Sequence, residues 1–447
     1  MTVIQFDGRQ QRKLSPSSDS EVSAVRHSTS TPPTELISND WLLALHIPLF
    51  SDDIFVEYTR ARLLQSTDFH NIILPSTVDR TLVQRAFLAL ATTFFGVEHK
   101  EKQLVSQGFH RYGDALKHVR QALSGPACYV SFDLLESIVV MSLFEFLISE
   151  NENGWLSHAV GLERLMSLRG PDSFKTYPEI VMLQNSRLSI IIASVLLRRR
   201  TIFSAPEWKS IPWSLHPEAK NAMQLLMDIL ADCPDLFIEK EQIMSDAGTD
   251  NHVIEWRKLR AKVKLVLDRL AEWERDWEAN NSGYCSEVPA PSTTPTLIDY
   301  RGISVPAWNT VLEYNSLYHA NTVVVYNAIL ILVQILGHKI AFSGNVPALH
   351  SQNVASFPDR TFSASLVICR SVEYHLQSLR KGAGSFFLLF PLRMAYDAIG
   401  QSNPVIGAWL HDVLQKIQDG KSGRWATAKY LLNIQPQTTL SQPACII

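Results

Sequence analysis

The chain has 447 residues, 46% hydrophobic and 19% charged, which is ample apolar content for a sizeable core. A formal net charge of −3 excludes global attraction to nucleic acid or anionic membrane, so either would need a local basic patch. The five cysteines, Cys128, Cys233, Cys285, Cys369 and Cys445, form no C-x-x-C pair, which argues against a disulfide framework or a cysteine-rich zinc site and for a reducing compartment.

Residues 1–38 are rich in Ser, Thr, Gln and Pro, lack the apolar run of a secretory signal, and are expected to form a disordered tail or linker. The cluster Arg9-Gln-Gln-Arg-Lys13 within it is either a nuclear-import element or an ordinary solvated stretch. Order is expected from Ser38-Asn-Asp40, an N-cap region ahead of Trp41. Helical periodicity then predicts helices near 52–65, 79–95, 101–123, 131–149, 155–169, 178–199, 217–231, 252–280, 306–337, 361–380, 387–399, 404–418 and 424–433. Breakers such as Gly125-Pro126, Gly170-Pro171 and Cys233-Pro234 fall between them, and alternating strand patterns are scarce. The stretch Glu287–Pro295 reads as a proline-rich surface loop. The predicted architecture is all-α: one large irregular multi-helix domain over 39–435, then a short flexible tail over 436–447. Thr322–Leu336 is the most apolar run, shorter than the roughly 20 residues a membrane span needs, so it predicts a buried helix and no membrane partner. The terminal Ala444-Cys445-Ile-Ile447 places its cysteine one position too late for prenylation.

Two helices carry the strongest patterns. In Trp155–Pro171, the residues Trp155, Ala159, Leu162 and Met166 share one face, widened by Leu165 and Leu168. Gly161 sits mid-helix, where close approach of a second helix would offset its propensity cost of about 1 kcal/mol. In 252–280 the seam Trp256, Leu259, Val263, Val266, Leu270, Trp273 and Trp277 keeps a heptad-like spacing. Its basic residues precede its acidic ones, against the helix dipole, so an antiparallel partner helix is expected. That partner is either a neighbour in the same domain or the same helix of a second copy in a homodimer.

Few groups here could carry chemistry. Asp52, Asp53 and Glu57 resemble the aspartate-rich magnesium motif of isoprenoid enzymes, and they equally suit the first turn of a helix after Ser51. On the first reading the chain is an all-α enzyme acting on apolar substrates; a helical scaffold is a further alternative. His158 and the other histidines form no metal-ligand spacing, and Arg198-Arg199-Arg200 reads as the basic end of a buried helix or as a contact for an anion or partner. No G-x-S-x-G, G-x-G-x-x-G or P-loop is present, and no catalytic, cofactor-binding, metal-binding or DNA-contacting residue is assigned.

Ser142-Leu-Phe-Glu-Phe-Leu-Ile-Ser-Glu150, followed by the helix Trp155–Arg169 with its Arg-Gly-Pro171 end, resembles the fungal-specific transcription factor domain. This is the helical regulatory region of fungal binuclear zinc-cluster activators. Ile368-Cys-Arg-Ser-Val-Glu-Tyr-His375 and Gly384-Ser-Phe-Phe-Leu-Leu-Phe-Pro391-Leu-Arg-Met-Ala-Tyr-Asp397 look like the two helices found late in that family, so the resemblance spans about 38–433. It implies a nuclear transcription regulator or co-regulator rather than an enzyme, governing a metabolic gene set such as secondary metabolism. Implied partners are other transcription factors or coactivators, and a small apolar effector. The family's six-cysteine DNA-binding module has no counterpart, since the first cysteine is Cys128. The module is therefore absent from the gene reading, lost, or supplied by a partner, and direct DNA binding by this chain alone is expected to be weak and salt-dependent.

Overall fold

Helices apolar on one side pack around helices apolar on every side, and that rule orders this molecule. The computed structural model describes residues 51–64, 81–125, 129, 131–148, 154–245, 252–299, 301–343, 357–377, 381–419, 425 and 428. The expected tails 1–38 and 436–447, the start of order at 38–40 and most of the helix at 424–433 lie outside them.

The elements are α1 (Ser51–Thr59), α2 (Leu82–Glu98), α3 (Lys102–Leu123), α4 (Phe132–Ile148), α5 (Gly154–Arg169), α6 (Tyr177–Leu196), α7 (Pro206–Ser210), α8 (Ala222–Leu230), α9 (Cys233–Ser245) and α10 (His252–Asn280). After four short strands come α11 (Leu317–Ser343), α12 (Phe357–Leu376), α13 (Lys381–Ala395) and α14 (Pro404–Gln418). The fold is all-α, as the periodicity predicts, with two small strand pairs besides.

The N-terminal helices pack in sequence: α2 lies on α3 and α4, α4 on α5, and α5 on α6. The start of α2 is fixed twice. Thr81 and Gln84 form a reciprocal capping box, and Asp133 at the start of α4 accepts from the backbone N–H groups of Leu82 (3.0 Å) and Val83 (3.1 Å). On the C-terminal side α11 is the axis, packing on α8, α10, α12 and α13. Its side chains from Val323 to Val333 are buried on all faces, including Asn327. The helices Tyr177–Leu196 and Leu317–Ala341 are long and apolar enough to cross a membrane by length and composition, but their apolar windows are 61% and 89% buried inside this chain.

The seam of α10 faces inward. All seven of its residues are buried, Leu259 and Leu270 completely. The antiparallel partner is α9 of the same chain: Lys262 pairs with Glu239 (2.5 Å), and further along α10 Arg269 pairs with the earlier residue Asp232 (2.6 Å). The acidic end is met by Arg360 of α12 through Glu274 (3.2 Å). The order of charge that opposes the dipole is thus answered within the fold. A homodimer using this seam would have to displace α8, α9 and α11 from it.

Three expectations need correction. The helix expected over 306–337 begins only at Leu317, because 310–314 forms a strand. The proline-rich stretch is not all loop. Strand β1 (Cys285–Pro289) pairs antiparallel with β4 (Thr310–Tyr314), and β2 (Thr296–Ile298) pairs with β3 (Ser304–Pro306) between them. These strands are too short to show a period of two, and β1 meets its partner far along the chain. Finally, Cys233-Pro234 does separate two helices, but it opens the second of them, and that helix, α9, is not among those expected; proline in a first turn lacks only an N–H that has no helical acceptor.

Candidate functional site

Three segments that mark the family resemblance, in α4, α5 and α13, meet on one cleft. Phe146 of α4 stacks on Trp155 of α5 at 4.6 Å between centroids and meets Phe386 of α13 edge-on at 5.4 Å. Phe386 continues to Trp425 at 4.8 Å, whose indole N–H donates to Ser385 Oγ at 2.8 Å. Through Phe386 this aromatic chain reaches a cavity of about 300 Å³ between α6, α8 and α13. Leu188, Met223, Met227, Phe386 and Phe387 make its apolar wall, and Gln184, Asn185, Ser189 and Gln224 its polar one. A recess of about 30 Å³ continues past Asn185, Ser189 and Phe386 to Ala159 and Leu162 of α5. The helix Trp155–Arg169 thus lines the inner end of the cleft, with Gly161 buried.

A fully buried arginine holds the polar wall in place. Arg187 of α6 donates to the backbone oxygen (3.3 Å) and Oε1 (3.1 Å) of Gln224, and pairs with Asp228 one turn further along α8. Its guanidinium lies against the rings of Phe203 (5.5 Å) and Trp213 (5.9 Å), and Lys220 adds a second cation on Asp228 at 2.7 Å. Nothing in the local sequence separates Arg187 from a surface arginine; its apolar neighbours were the only signal.

His158 belongs to a buried network with Tyr112 and Glu145. Tyr112 donates to Glu145 Oε1 at 2.6 Å, and its hydroxyl lies 2.9 Å from His158 Nε2. Burial, with the Glu145 carboxylate alongside, holds the Tyr112 hydroxyl far above its ordinary range. Burial pushes the His158 imidazole down, against the opposing pull of Glu145. These groups join α3, α4 and α5.

Most of the other sequence candidates are engaged in ion pairs. Asp52 pairs with Arg111 at 2.9 Å, Glu57 with Arg60 at 2.8 Å, and Asp53 is exposed. Among the described residues, no group of three or more His, Cys, Asp or Glu side chains is placed to hold a metal ion. Arg198, in the left-handed region at φ 51°, covers the ring of Phe237 and pairs with Glu241 at 3.0 Å. Arg199 pairs with the buried Glu163, which also accepts from Thr201 Oγ1 (2.7 Å) and Ile202 N (2.9 Å). Arg200 faces Asp235 at 3.6 Å. Burial pushes the Cys233 and Cys369 thiols up to about 12, so neither is a thiolate at neutral pH. Arg370 and Ser371 of α12 bind the outer hairpin: Arg370 donates to Thr310 O (2.8 Å) and pairs with Glu287 (2.8 Å), and the Ser371 and Tyr314 hydroxyls lie 2.7 Å apart.

The segments that resemble the family thus converge within one all-helical domain. Residues 53–340 match the family described as the fungal specific transcription factor domain, and the chain belongs to that family. The α13 segment lies beyond the matched stretch and joins it through Phe386. An uncharacterized protein of Emericella nidulans is 26% identical over 126 residues. That similarity covers 28% of this chain and 27% of the relative, so the chain spans about a quarter of that protein's length. No solved structure matches.

Proposed function

We propose that this chain is part of a nuclear transcription regulator or co-regulator of the fungal zinc-cluster type. In this reading it governs a metabolic gene set, secondary metabolism being the specific proposal, and reaches DNA through partner transcription factors or coactivators. The observation that carries the reading is the meeting of α4, α5 and α13 around one cleft in a domain that belongs to this family. A small molecule lodged there would favour one packing of α13 against α6 and α8, and a ligand shifts an equilibrium only by such differential binding. The mixed lining refines the expected apolar effector into one with a polar edge. Direct attraction to DNA is weak for a chain of net charge −3.

The test is to fuse the full chain to a heterologous DNA-binding module and read transcription from its cognate reporter, with a fluorescent fusion reporting location. Nuclear accumulation and altered reporter output are expected. A fusion excluded from the nucleus, with reporter output equal to that of the module alone, would overturn the proposal.

A further inference from the structure

The lining of the cleft specifies what it can hold. Among the described residues around it, no Lys, Arg or His contributes, and the one charged side chain is Glu218, exposed at the rim. Arg187 and Lys220, the cations behind this wall, both pair with Asp228, and neither lines the cleft. A carboxylate or phosphate entering this space would lose its water without gaining a counter-charge, and would pass Glu218 on the way. The cleft therefore discriminates against anions.

Most amides of its polar wall are held by the protein itself. Gln184 donates to Ala219 O, Asn221 Oδ1 accepts from the Gln224 backbone, and Gln224 Oε1 accepts from Arg187. Ser189 donates to Ser186 O. Asn185, half-buried between the cleft and the recess, makes no hydrogen bond among the described residues. Its amide offers both a donor and an acceptor to whatever occupies the cleft. Opposite it, Phe386 and Phe387 present rings, and Met223 and Met227 adapt their shape. A volume of about 300 Å³ suits a small molecule. The recess of about 30 Å³ admits one small substituent or a water.

We propose that the cleft binds a small uncharged molecule with a flat apolar body and an amide-like donor–acceptor edge, paired with Asn185 and packed against Phe386 and Phe387, whose rings stand at 85° so that it meets one face-on and the other edge-on. The inference rests on the reading of this cleft as the effector site.

Thermal unfolding of the purified full chain with naphthalene-2-carboxamide, and separately with naphthalene-2-carboxylate, tests it. The amide should raise Tm saturably, and the carboxylate should need roughly tenfold more ligand for the same shift, since it must bury an uncompensated charge. Asn185→Leu should abolish the amide response while leaving the unliganded Tm in place. Met223→Trp, which fills the cavity, should block both probes. Equal or better binding of the carboxylate, an amide response that survives both substitutions, or no amide response at millimolar concentration would each overturn the proposal. The regulatory reading fails separately. If the amide binds as described and the reporter ignores both amide and Met223→Trp, the ligand class stands and the effector role falls.

Discussion

Replacing Arg187 by methionine removes a fully buried cation from the joint between α6 and α8 and leaves Asp228, itself only 8% exposed at its side chain, short of a partner. Removing one member of a buried ion pair typically costs about 3–5 kcal/mol. Lys220, still 2.7 Å from Asp228, moves the expectation to the lower end. Two ring contacts and the donors to Gln224 add about 1 kcal/mol or more. The expected loss is about 4 kcal/mol, a large part of the ~5–15 kcal/mol that stabilises a typical domain. Urea unfolding followed by tryptophan fluorescence measures it, with Trp213 reporting on the site itself. The double variant Arg187→Met/Asp228→Asn should be less damaged than the sum of its single variants, because the second change neutralises the acid stranded by the first. A single-variant loss below about 1 kcal/mol, or strict additivity of the pair, would refute the assignment of Arg187 as the electrostatic anchor of the cleft.

Glu136 has its carboxyl raised from 4.5 to about 7 by burial, with Asp133 and Glu179 adding to the rise. The folded chain keeps that proton to higher pH than the unfolded chain, so its stabilising contribution is present below 4.5 and lost as pH rises through about 7. Glu136→Gln should therefore raise stability near pH 8 by about 1 kcal/mol, allowing for water screening of a half-exposed group, and do nothing below its unfolded pKa. Chemical denaturation at the two pH values reads the difference, and an equal effect at both would contradict it. His158 titrates in the other direction: its folded pKa lies below 6.5, so stability is complete above 6.5 and falls as pH drops through that value. His158→Gln should flatten that slope in a pH series of Tm, and an unchanged slope would place the titration elsewhere. A Cβ at Gly384 would sit 2.4 Å from the backbone oxygen of His375. Gly384→Val should accordingly force α13 from α12 and cost about 2 kcal/mol or more; a thermal midpoint equal to that of the unaltered chain would show that the contact is not enforced.

Much of the helical frame was legible because amphipathic periodicity is local. The seam from Trp256 to Trp277 marked both the length of α10 and the face it buries. Its charge order even announced an antiparallel partner, but not that α9 would supply it, since the Cys233-Pro234 pair looked like a break. The outer hairpin was hidden because Cys285 pairs with Tyr314, a contact that no short window contains. The cleft was hidden for the same reason: Asn185, Met227 and Phe386 lie on three helices far apart in the chain. The segments resembling the family pointed to the right helices without showing that α4, α5 and α13 meet.

By itself the sequence determined that this chain would be helical, where most helices run, which faces are apolar and which family it resembles, because each follows from residue spacing along one helix. Only the tertiary structure decided that the α10 seam is covered from within, that Arg187 is a buried anchor, that Asp52 is tied to Arg111, and that a cleft with an unpaired Asn185 opens between α6, α8 and α13. Those outcomes depend on which apolar faces meet, and many pairings bury similar area. The choice among them is made by side-chain fit and charge pairing between segments far apart in the chain.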